Sequence, residues 1–197
     1  MYKRQYLDGQ LGYAINKNET KRSLTFGGLK HTAKGSYDST HHIVRVGGGV
    51  PFHLGGAAYL TATGALAYTG LSADSYTETG ADVFNVKVNP GNVSALVASV
   101  GGKVHTRVET GSGVLIPSAT LGASYDMIGK QAEASGTYQT GGASFKVKGA
   151  SVQKLSGIIG FGLRYETGIY SVGVSYDGSF KSGYSSHAGM LEARVKF

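Results

Sequence analysis

Apolar and polar residues alternate along most of this 197-residue chain, and this alternation constrains the fold more than any other feature. Between Ala58 and Thr69, for example, Leu60, Leu66 and Tyr68 occupy even positions and threonines occupy odd positions. Successive side chains of a β-strand point to opposite faces, so a period of two predicts strands with one apolar face and one polar face. The segments that fit are Tyr6–Asn16, Thr40–Phe52, Ala58–Thr69, Asp82–Val88, Ser94–Val108, Gly113–Asp126, Lys154–Tyr165, Tyr170–Phe180 and His187–Phe197.

The sequences between these segments support an all-β fold. The chain contains 32 glycines, and its turn sequences include NPGN at 89–92 and ETGSG at 109–113, where glycine and proline favour tight turns. No helix of ten or more residues is predicted. Residues 127–153 are expected to form either a large loop or an extra hairpin that pairs Glu133–Thr140 with Ser144–Lys148. Among the strands, Asp82–Val88 is the shortest and the weakest in pattern.

The length of the predicted strands favours a membrane. They average about 12 residues, whereas strands of globular proteins usually have five or six, and a tilted membrane-spanning strand needs about 9–11. Aromatic residues lie near the strand ends, as in the interfacial girdles of membrane barrels. These residues are Tyr13, Phe52, Tyr68, Tyr125, Tyr165, Tyr170 and Phe197. Pattern and composition therefore favour an antiparallel transmembrane β-barrel and leave a soluble β-sandwich or lipocalin-like barrel open.

Several function classes find no support in the sequence. The 19 basic residues are scattered, although the formal charge is +7, so nucleic-acid binding is not predicted. The chain has no cysteine, and the adjacent His41 and His42 would point to opposite faces of a strand, so no metal site is predicted. No nucleophile elbow or phosphate-binding loop occurs. The sequence predicts a protein without enzymatic activity, cofactor or metal.

Four segments carry a family resemblance. The stretch YLDGQLGYA (Tyr6–Ala14) is similar to a YLDxxLGYG strand, and YTETGADVFNVKV (Tyr76–Val88) to a TETGAxxxxLxV segment. The stretch VLIPSATLGASYD (Val114–Asp126) is similar to LxPxxxLxWxH, although Tyr125 and Asp126 stand where an aromatic residue and histidine are common. The last 27 residues, Ser171–Phe197, resemble a closing hairpin of the form LxxSYDGxFxxGYxSHxGxLGLRWRF. Together they resemble the C-terminal translocator (β-domain) of autotransporters, the type V secreted proteins of Gram-negative bacteria.

The resemblance implies a twelve-stranded barrel in the bacterial outer membrane, of which this chain supplies about nine strands in residues 6–197. Residues 1–5 match no part of the family pattern and are expected to be an artefact or unstructured. The missing parts would be three strands, the linker helix that plugs the pore, and the secreted passenger. The implied function is to anchor the protein and to give its passenger a route to the cell surface. A porin-like barrel that passes small solutes, or a soluble β-sandwich binding module, remains as an alternative.

Two sets of residues are predicted to act within such a barrel. The first is an assembly signal on the last strand, read by the barrel-assembly machinery: Leu191, Ala193, Val195 and Phe197. The second is a set of charged residues that face the pore: Asp8, Arg45, Lys103, Arg107, Arg164, Asp177, Glu192 and Arg194. These charges would guide the passenger, bind the plug helix, or only hydrate the lumen. The expected partners are outer-membrane lipid, the assembly machinery, and the chain's own passenger and linker helix.

Overall fold

The fold comes from a computed structural model that describes residues 5–196, apart from the side chain of Phe26. Phe197 of the predicted assembly signal and residues 1–4 of the expected artefact lie outside the described residues. Within that range most of the chain is antiparallel strand. The only helical element there is a single 3-10 turn, Asp82–Phe84. No described helix has the length and apolar character needed to cross a membrane.

One main sheet contains most of the strands. In chain order its members are β1 (Tyr6–Phe26), β2 (Leu29–Gly55), β3 (Ala58–Ala73), β6 (Val93–Thr106), β7 (Val108–Thr110), β8 (Gly113–Asp126), β11 (Leu155–Thr167), β12 (Tyr170–Lys181) and β13 (Tyr184–Val195). The eight long strands form a meander, in which each strand pairs with its neighbours in this series, and the short β7 pairs with β8. The expected all-β antiparallel fold is confirmed, with nine strands in this sheet.

The connections differ in length at the two ends of the main sheet. At one end, here called the short-turn end, β2 joins β3 through residues 56–57 and β11 joins β12 through residues 168–169. At the other end, the long-loop end, the connections include residues 74–92 and 127–154. Outer-membrane barrels have short periplasmic turns and long extracellular loops. In a barrel of that kind the long-loop end would face the cell exterior, an orientation that the sequence pattern alone did not indicate.

The main sheet curls into half of a barrel. A cavity of ≈ 460 Å³ is lined by Tyr6 on β1 and Met190 on β13, although these strands form opposite edges of the sheet. The same cavity is lined by Thr63 and Ser118 from central strands. The polar residues of the central strands therefore lie on the concave face, and the apolar residues that alternate with them lie on the convex face.

The convex face carries large apolar side chains that nothing in the described chain covers. Leu7 is 82% exposed, Leu121 is 71% exposed and Leu191 is 84% exposed. The hydrophobic residues buried within the described range are only Ala33, Ala81 and Val86, and all three lie near the long-loop end. A water-soluble domain buries its apolar strand faces in a core. This sheet has the inverse arrangement, which suits lipid around the convex face.

A second, smaller sheet lies at the long-loop end and is called the cap. Its strands are β4 (Tyr76–Thr77), β5 (Val86–Asn89), β9 (Glu133–Tyr138) and β10 (Phe145–Lys148), and it includes the 3-10 turn. The predicted extra hairpin is present, because β9 pairs with β10. The predicted continuous strand Asp82–Val88 is wrong: its first half is the 3-10 turn, in which Asp82 has a φ of 48°.

The first two strands are much longer than their alternation predicted. β1 continues ten residues beyond Asn16, and β2 begins eleven residues before Thr40. The two additional segments pair with each other in unbroken register, from Lys17 opposite Asp38 to Phe26 opposite Leu29. This paired extension, residues 17–39, projects past the rest of the main sheet and contacts the cap. Its alternation is weak because water, not lipid, surrounds it.

Candidate functional site: the charged concave face

Aromatic side chains form two belts on the convex face, one toward each end of the main sheet. Tyr13, Tyr68 and Tyr125 lie toward the long-loop end. Phe52, Tyr165 and Tyr170 lie toward the short-turn end. Tyr68 stands opposite Val44 in the register of β2 and β3. Val44 and Phe52 are eight residues apart along β2, so the two belts are separated by about 26 Å of strand, or about 19 Å of height at a 45° tilt. This is close to the ~25 Å apolar band of outer-membrane barrels.

The concave face between the belts is polar and lined by small side chains. One transverse row runs from Thr61 through Lys103 and Thr120 to Gly160 and Asp177 on β12. Gly160 makes room for its neighbours, because a Cβ atom there would come within 2.9 Å of the Asp177 carboxylate. Threonine hydroxyls and peptide groups surround the two charges of this row. The row gives the concave face a hydrated surface with one cation and one anion several strands apart.

Near the short-turn end the charges of the concave face are paired. The Arg164 guanidinium lies 3.6 Å from the carboxylate of Glu192, and Arg194 donates to the same carboxylate at 2.5 Å. Glu192 stands opposite Gly173, which stands opposite Arg164, so the glycine leaves space for the two side chains to meet. One glutamate on the last strand therefore joins arginines of two strands.

Two further ion pairs lie on this face, one beside the Glu192 cluster and one that includes the first strand. Arg107 contacts Glu166 at 3.4 Å, and Arg45 is paired with Asp8 on β1. The Arg45 guanidinium lies over Gly47, where a Cβ atom would come within 2.8 Å of a guanidinium nitrogen. The side chains in these pairs are partly exposed, so each pair contributes little to stability, roughly 0–1 kcal/mol. Their main effect is to fix the direction of the arginine side chains.

The structure places all of the predicted pore-facing residues on the concave face, and it groups them unequally. Arg107, Arg164, Glu192 and Arg194 lie together at the short-turn end, whereas Asp8 and Arg45 form a separate pair on the first two strands. Lys103 and Asp177 have no ion-pair partner among the residues that the structure describes. Arg107 lies between β6 and β7, and its contact with Glu166 places it on this face. The alternation along the strands indicated the common face of the others.

Sequence reasoning missed one member of this face, Glu166. The sequence ETG at 166–168 indicates a turn, but Glu166 is the last but one residue of β11 and the partner of Arg107. His105 lies on this face, as the alternation of Ser94–Val108 predicts, and its ring stacks on that of Tyr59 with the ring centroids 5.6 Å apart. The ring centroid of Tyr59 lies 5.0 Å from that of His53. In the described range no three potential ligands lie close enough together to hold a metal. The alternation of Ala58–Thr69 and Ser94–Val108 predicts Tyr59 and His105 on polar strand faces, but it does not predict that their rings stack.

The remaining residues of the predicted assembly signal occupy the convex side of the last strand. Leu191, Ala193 and Val195 alternate with Glu192 and Arg194 and are all exposed. Within the described chain, β13 pairs with β12 alone, so its outer edge presents unpaired backbone groups. The strand is therefore apolar toward the convex side, charged toward the concave side, and open along one edge.

A different charged site holds the cap to the extension. Arg22 of β1 binds Glu78 through two hydrogen bonds, of 3.0 Å from Nε and 2.5 Å from a terminal nitrogen, and it also donates to the carbonyl of Phe84 at 2.9 Å. Glu78 also accepts from the backbone of Val86 at 3.0 Å, and its side chain is only 6% exposed. The hydrogen bonds from Arg22 and from Val86 hold the pKa of Glu78 below its usual range, against the opposing effect of burial.

The residues around Glu78 explain the segment TETGA. Gly80 has a φ of 89°, and a Cβ atom there would come within 2.8 Å of the Thr32 carbonyl oxygen. Ala81 is fully buried, and its backbone donates to the side chain of Asn85 at 3.0 Å. Tyr76 lies over Gly35 and stacks on Tyr37 at 4.9 Å. The segment that resembles the family pattern is therefore the contact between the cap and the concave side of the extension.

Comparisons with known proteins agree with this fold. A family model described as autotransporter beta-domain matches residues 2–177. Outer membrane protein A of Rickettsia conorii (strain ATCC VR-613 / Malish 7) is 24% identical over 201 residues, which cover 100% of this chain and 10% of that protein. The translocator domain of the autotransporter NalP from Neisseria meningitidis superposes with a TM-score of 0.69 at 23% identity. The match to NalP covers 98% of this chain and 61% of that domain.

The family match extends over most of the chain, and the curled antiparallel sheet agrees with it independently of sequence. The expected fold class and the expected location in the bacterial outer membrane are confirmed, and neither the porin-like barrel nor the soluble β-sandwich is favoured. The chain spans about a tenth of its Rickettsia relative and three-fifths of the NalP domain. The chain belongs to the autotransporter beta-domain family of outer-membrane barrels.

Proposed function

We propose that this chain forms part of the wall of an outer-membrane pore through which an autotransporter passenger reaches the cell surface. The observation that carries the proposal is the inverted sheet: apolar residues cover its convex face, and a row of threonines and charges lines its concave face. Lipid suits the apolar convex face, and water suits the polar concave face. The role is transport and anchoring, without catalysis.

The two edges of the main sheet support a barrel completed by further strands. β1 and β13 each pair on one side only within the described residues. Unpaired backbone groups cost several kcal/mol each in a bilayer, which is why membrane-spanning sheets close. Residues 6–197 are thus proposed to be part of a larger barrel domain that includes strands outside this chain, in agreement with the partial coverage of the NalP domain.

The charges of the concave face are proposed to divide into two roles. The paired arginines are satisfied by Glu166 and Glu192 at the short-turn end and by Asp8 on the first strand, so they order the wall. Lys103 and Asp177 lie in one row without ion-pair partners among the described side chains. These two are available to a peptide in transit or to a linker helix in the pore.

The last strand is proposed to be recognised by the barrel-assembly machinery. The support is its open edge together with the apolar side chains of Leu191, Ala193 and Val195 on the convex side. An exposed strand edge is a template for pairing with another chain. Phe197 would complete the apolar series at alternate positions of the sequence.

Cross-linking in cells tests the transport proposal. The chain has no cysteine, so single cysteines can be introduced into the full-length protein at Ser175 on the concave face and at Val174 on the convex face. A reactive cysteine in the passenger should cross-link to the Ser175 position during export and not to the Val174 position. Equal cross-linking of the two positions, or a passenger that reaches the surface without cross-linking to either, would contradict the proposal.

A further inference from the structure

The outer side of the extension carries four lysines that form no ion pair within the described chain, although Asp38 stands directly opposite one of them, Lys17. On β1, Lys17 and Lys21 lie on the face opposite to that of Arg22, which faces the cap. On β2, Lys30 and Lys34 lie on the same outer face as these two lysines. Glu19 and Asp38 are the acidic residues of this side, which therefore has a net positive charge. We name these four lysines the lysine ladder.

Two members of the ladder face each other directly. Lys21 stands opposite Lys34 in the register of β1 and β2, and both side chains are exposed. Like charges directly opposite across two strands destabilise a sheet. Neither lysine is within ion-pair distance of a carboxylate in the part of the chain that the structure describes. The fold itself gains nothing from this arrangement, which is the pattern expected where an external anion neutralises both charges.

The opposite side of the same two strands shows the contrast. There the cation is Arg22, and it is fully engaged with Glu78 of the cap. The inner side therefore uses an arginine in a fixed bidentate pair, and the outer side uses lysines. Lysine is a flexible point charge that suits phosphate groups of variable position, whereas arginine suits planar, fixed partners.

The position of the ladder selects the kind of anion. Lys21 is eight residues beyond Tyr13, which belongs to the aromatic belt toward the long-loop end. Eight residues correspond to about 26 Å along the strand, or about 19 Å in height at a 45° tilt. The polar layer of a phospholipid leaflet is only about 5–8 Å thick. The headgroups of a simple phospholipid therefore end well below Lys21 and Lys34.

We infer that the lysine ladder binds the phosphorylated sugar headgroups of a glycolipid in the outer leaflet of the outer membrane. Such a headgroup is tall enough to reach from the aromatic belt to Lys21 and Lys34, and its phosphates provide the missing counter-charges. The inference rests on the proposed orientation of the barrel, with its long-loop end at the cell exterior. It assigns to the extension a role in holding the barrel in its lipid environment, apart from passenger transport.

The test uses the full-length protein purified in a neutral detergent and native mass spectrometry to measure lipid binding. The probes are a glycolipid with a phosphorylated sugar core, the same glycolipid without core sugars, and inorganic phosphate. Each lysine near an anionic surface contributes about fivefold to affinity, so the double variant K21Q/K34Q should bind the complete glycolipid about 25-fold more weakly. Its binding of the coreless glycolipid should not change.

A matched double variant controls for the loss of charge. K87Q/K148Q removes two exposed lysines from strands of the cap and should leave binding unchanged. The melting temperature of K21Q/K34Q should stay the same or rise, because the variant relieves the repulsion between the two lysines. A fall in melting temperature would contradict that account of the pair.

Three other outcomes would overturn the inference. The first is equal loss of binding in K21Q/K34Q and K87Q/K148Q. The second is equal affinity of the wild-type protein for the complete and coreless glycolipids. The third is displacement of the complete glycolipid by inorganic phosphate at equal concentration. None of these outcomes concerns passenger export, so the inference can fail while the proposed function stands.

Discussion

The main sheet and the cap are both built from antiparallel strands, but they differ in which residues are exposed and which are buried. In the main sheet, Leu7, Leu121 and Leu191 are among the most exposed residues. In and beside the cap, Ala81 and Val86 are buried, and so is the carboxylate of Glu78. Lipid takes the place of a core in the first region, whereas water forces the second to bury what it can. The solvent, not the strand, determines which residues are hidden.

The exposure of charged side chains also differs between the main sheet and the cap. On the concave face of the main sheet, ion pairs such as Arg164 with Glu192 are partly exposed to a wet lumen. At the cap, Arg22 is partly exposed, but the carboxylate of Glu78 is buried and also bonded to the backbone of Val86. A buried pair is strongly destabilised when one partner is lost, whereas an exposed pair contributes little. Substitutions in the two regions should therefore differ in size and in kind.

The largest effect is expected on the convex face of the main sheet. In the complete barrel, Val174→Arg should destabilise the folded state by about 2–4 kcal/mol if the residue lies near the middle of the bilayer. Ser175→Arg places the same side chain on the concave face and should cost much less. The measurement is the free energy of unfolding in lipid vesicles. If Ser175→Arg is at least as damaging, the assignment of the two faces is wrong, and equal tolerance of both would indicate a strand outside the membrane.

The next effect is expected at the cap. Glu78→Gln removes the charge that binds Arg22 and should lower the opening free energy of the cap by about 1.5–3 kcal/mol, the usual contribution of hydrogen bonds to a charged group. Hydrogen exchange at Val86 and Thr79 measures this locally. Asp74→Asn serves as the control, because that carboxylate has no ion pair among the described residues. Slow exchange at both sites in Glu78→Gln would show that Glu78 does not hold the cap.

The same pair should make the cap sensitive to acid. The folded-state pKa of Glu78 lies below its ordinary value of 4.5, so its stabilising effect is complete above that pH and is lost as the pH falls through the lower folded-state value. The protection factor of the Val86 amide, which corrects for the intrinsic pH dependence of exchange, should fall in that range in the wild-type protein. In Glu78→Gln this fall should be absent. An identical acid response of the two proteins would assign the effect to another group.

A smaller stability effect is expected from deletion of Phe197, although its effect on assembly should be large. Burial of an aromatic side chain contributes roughly 1.5–3 kcal/mol, and a residue at the rim of a strand should lie at the lower end. If the assembly machinery reads Phe197, its deletion should reduce surface display in cells far more than refolding yield in detergent. Tyr176→Ala on the convex face is the control. The same ratio of the two defects in both variants would make Phe197 an ordinary girdle residue.

The smallest effect is expected on the concave face. Glu192→Gln removes the carboxylate between Arg164 and Arg194 and should change the free energy of unfolding by only about 0.2–1 kcal/mol, because all three side chains are partly exposed. The substitution leaves two arginines unpaired in the lumen, so the conductance of the pore for anions should rise. A loss of several kcal/mol would mean that the cluster is buried and that the lumen is not wet there.

The sequence predicted the main sheet well because lipid imposes strict alternation on it. Gly113–Asp126 was predicted with the observed bounds, and Tyr170–Phe180 ends one residue short of β12. The extension was missed because water surrounds it, and because its inner side depends on Arg22 meeting Glu78, 56 residues away in the sequence. No local pattern encodes that contact.

The errors in the cap have a similar cause. Asp82–Val88 alternates well enough for a strand, but Asp82 adopts a positive φ that ends the pairing, and β5 begins only at Val86. The charges of the concave face followed from alternation. Their grouping did not, because the meeting of Glu192 with Arg164 depends on the register of three strands.

The central claim is that one face of the main sheet meets lipid and the other meets water, and cysteine labelling along β12 tests it most directly. Single cysteines at successive positions from Val172 to Asp177 can be introduced into the full-length protein, since this chain has no cysteine of its own. In outer membranes, a water-soluble maleimide should label positions 173, 175 and 177 and leave positions 172, 174 and 176 unlabelled. Uniform labelling, or labelling of the even positions, would contradict the account.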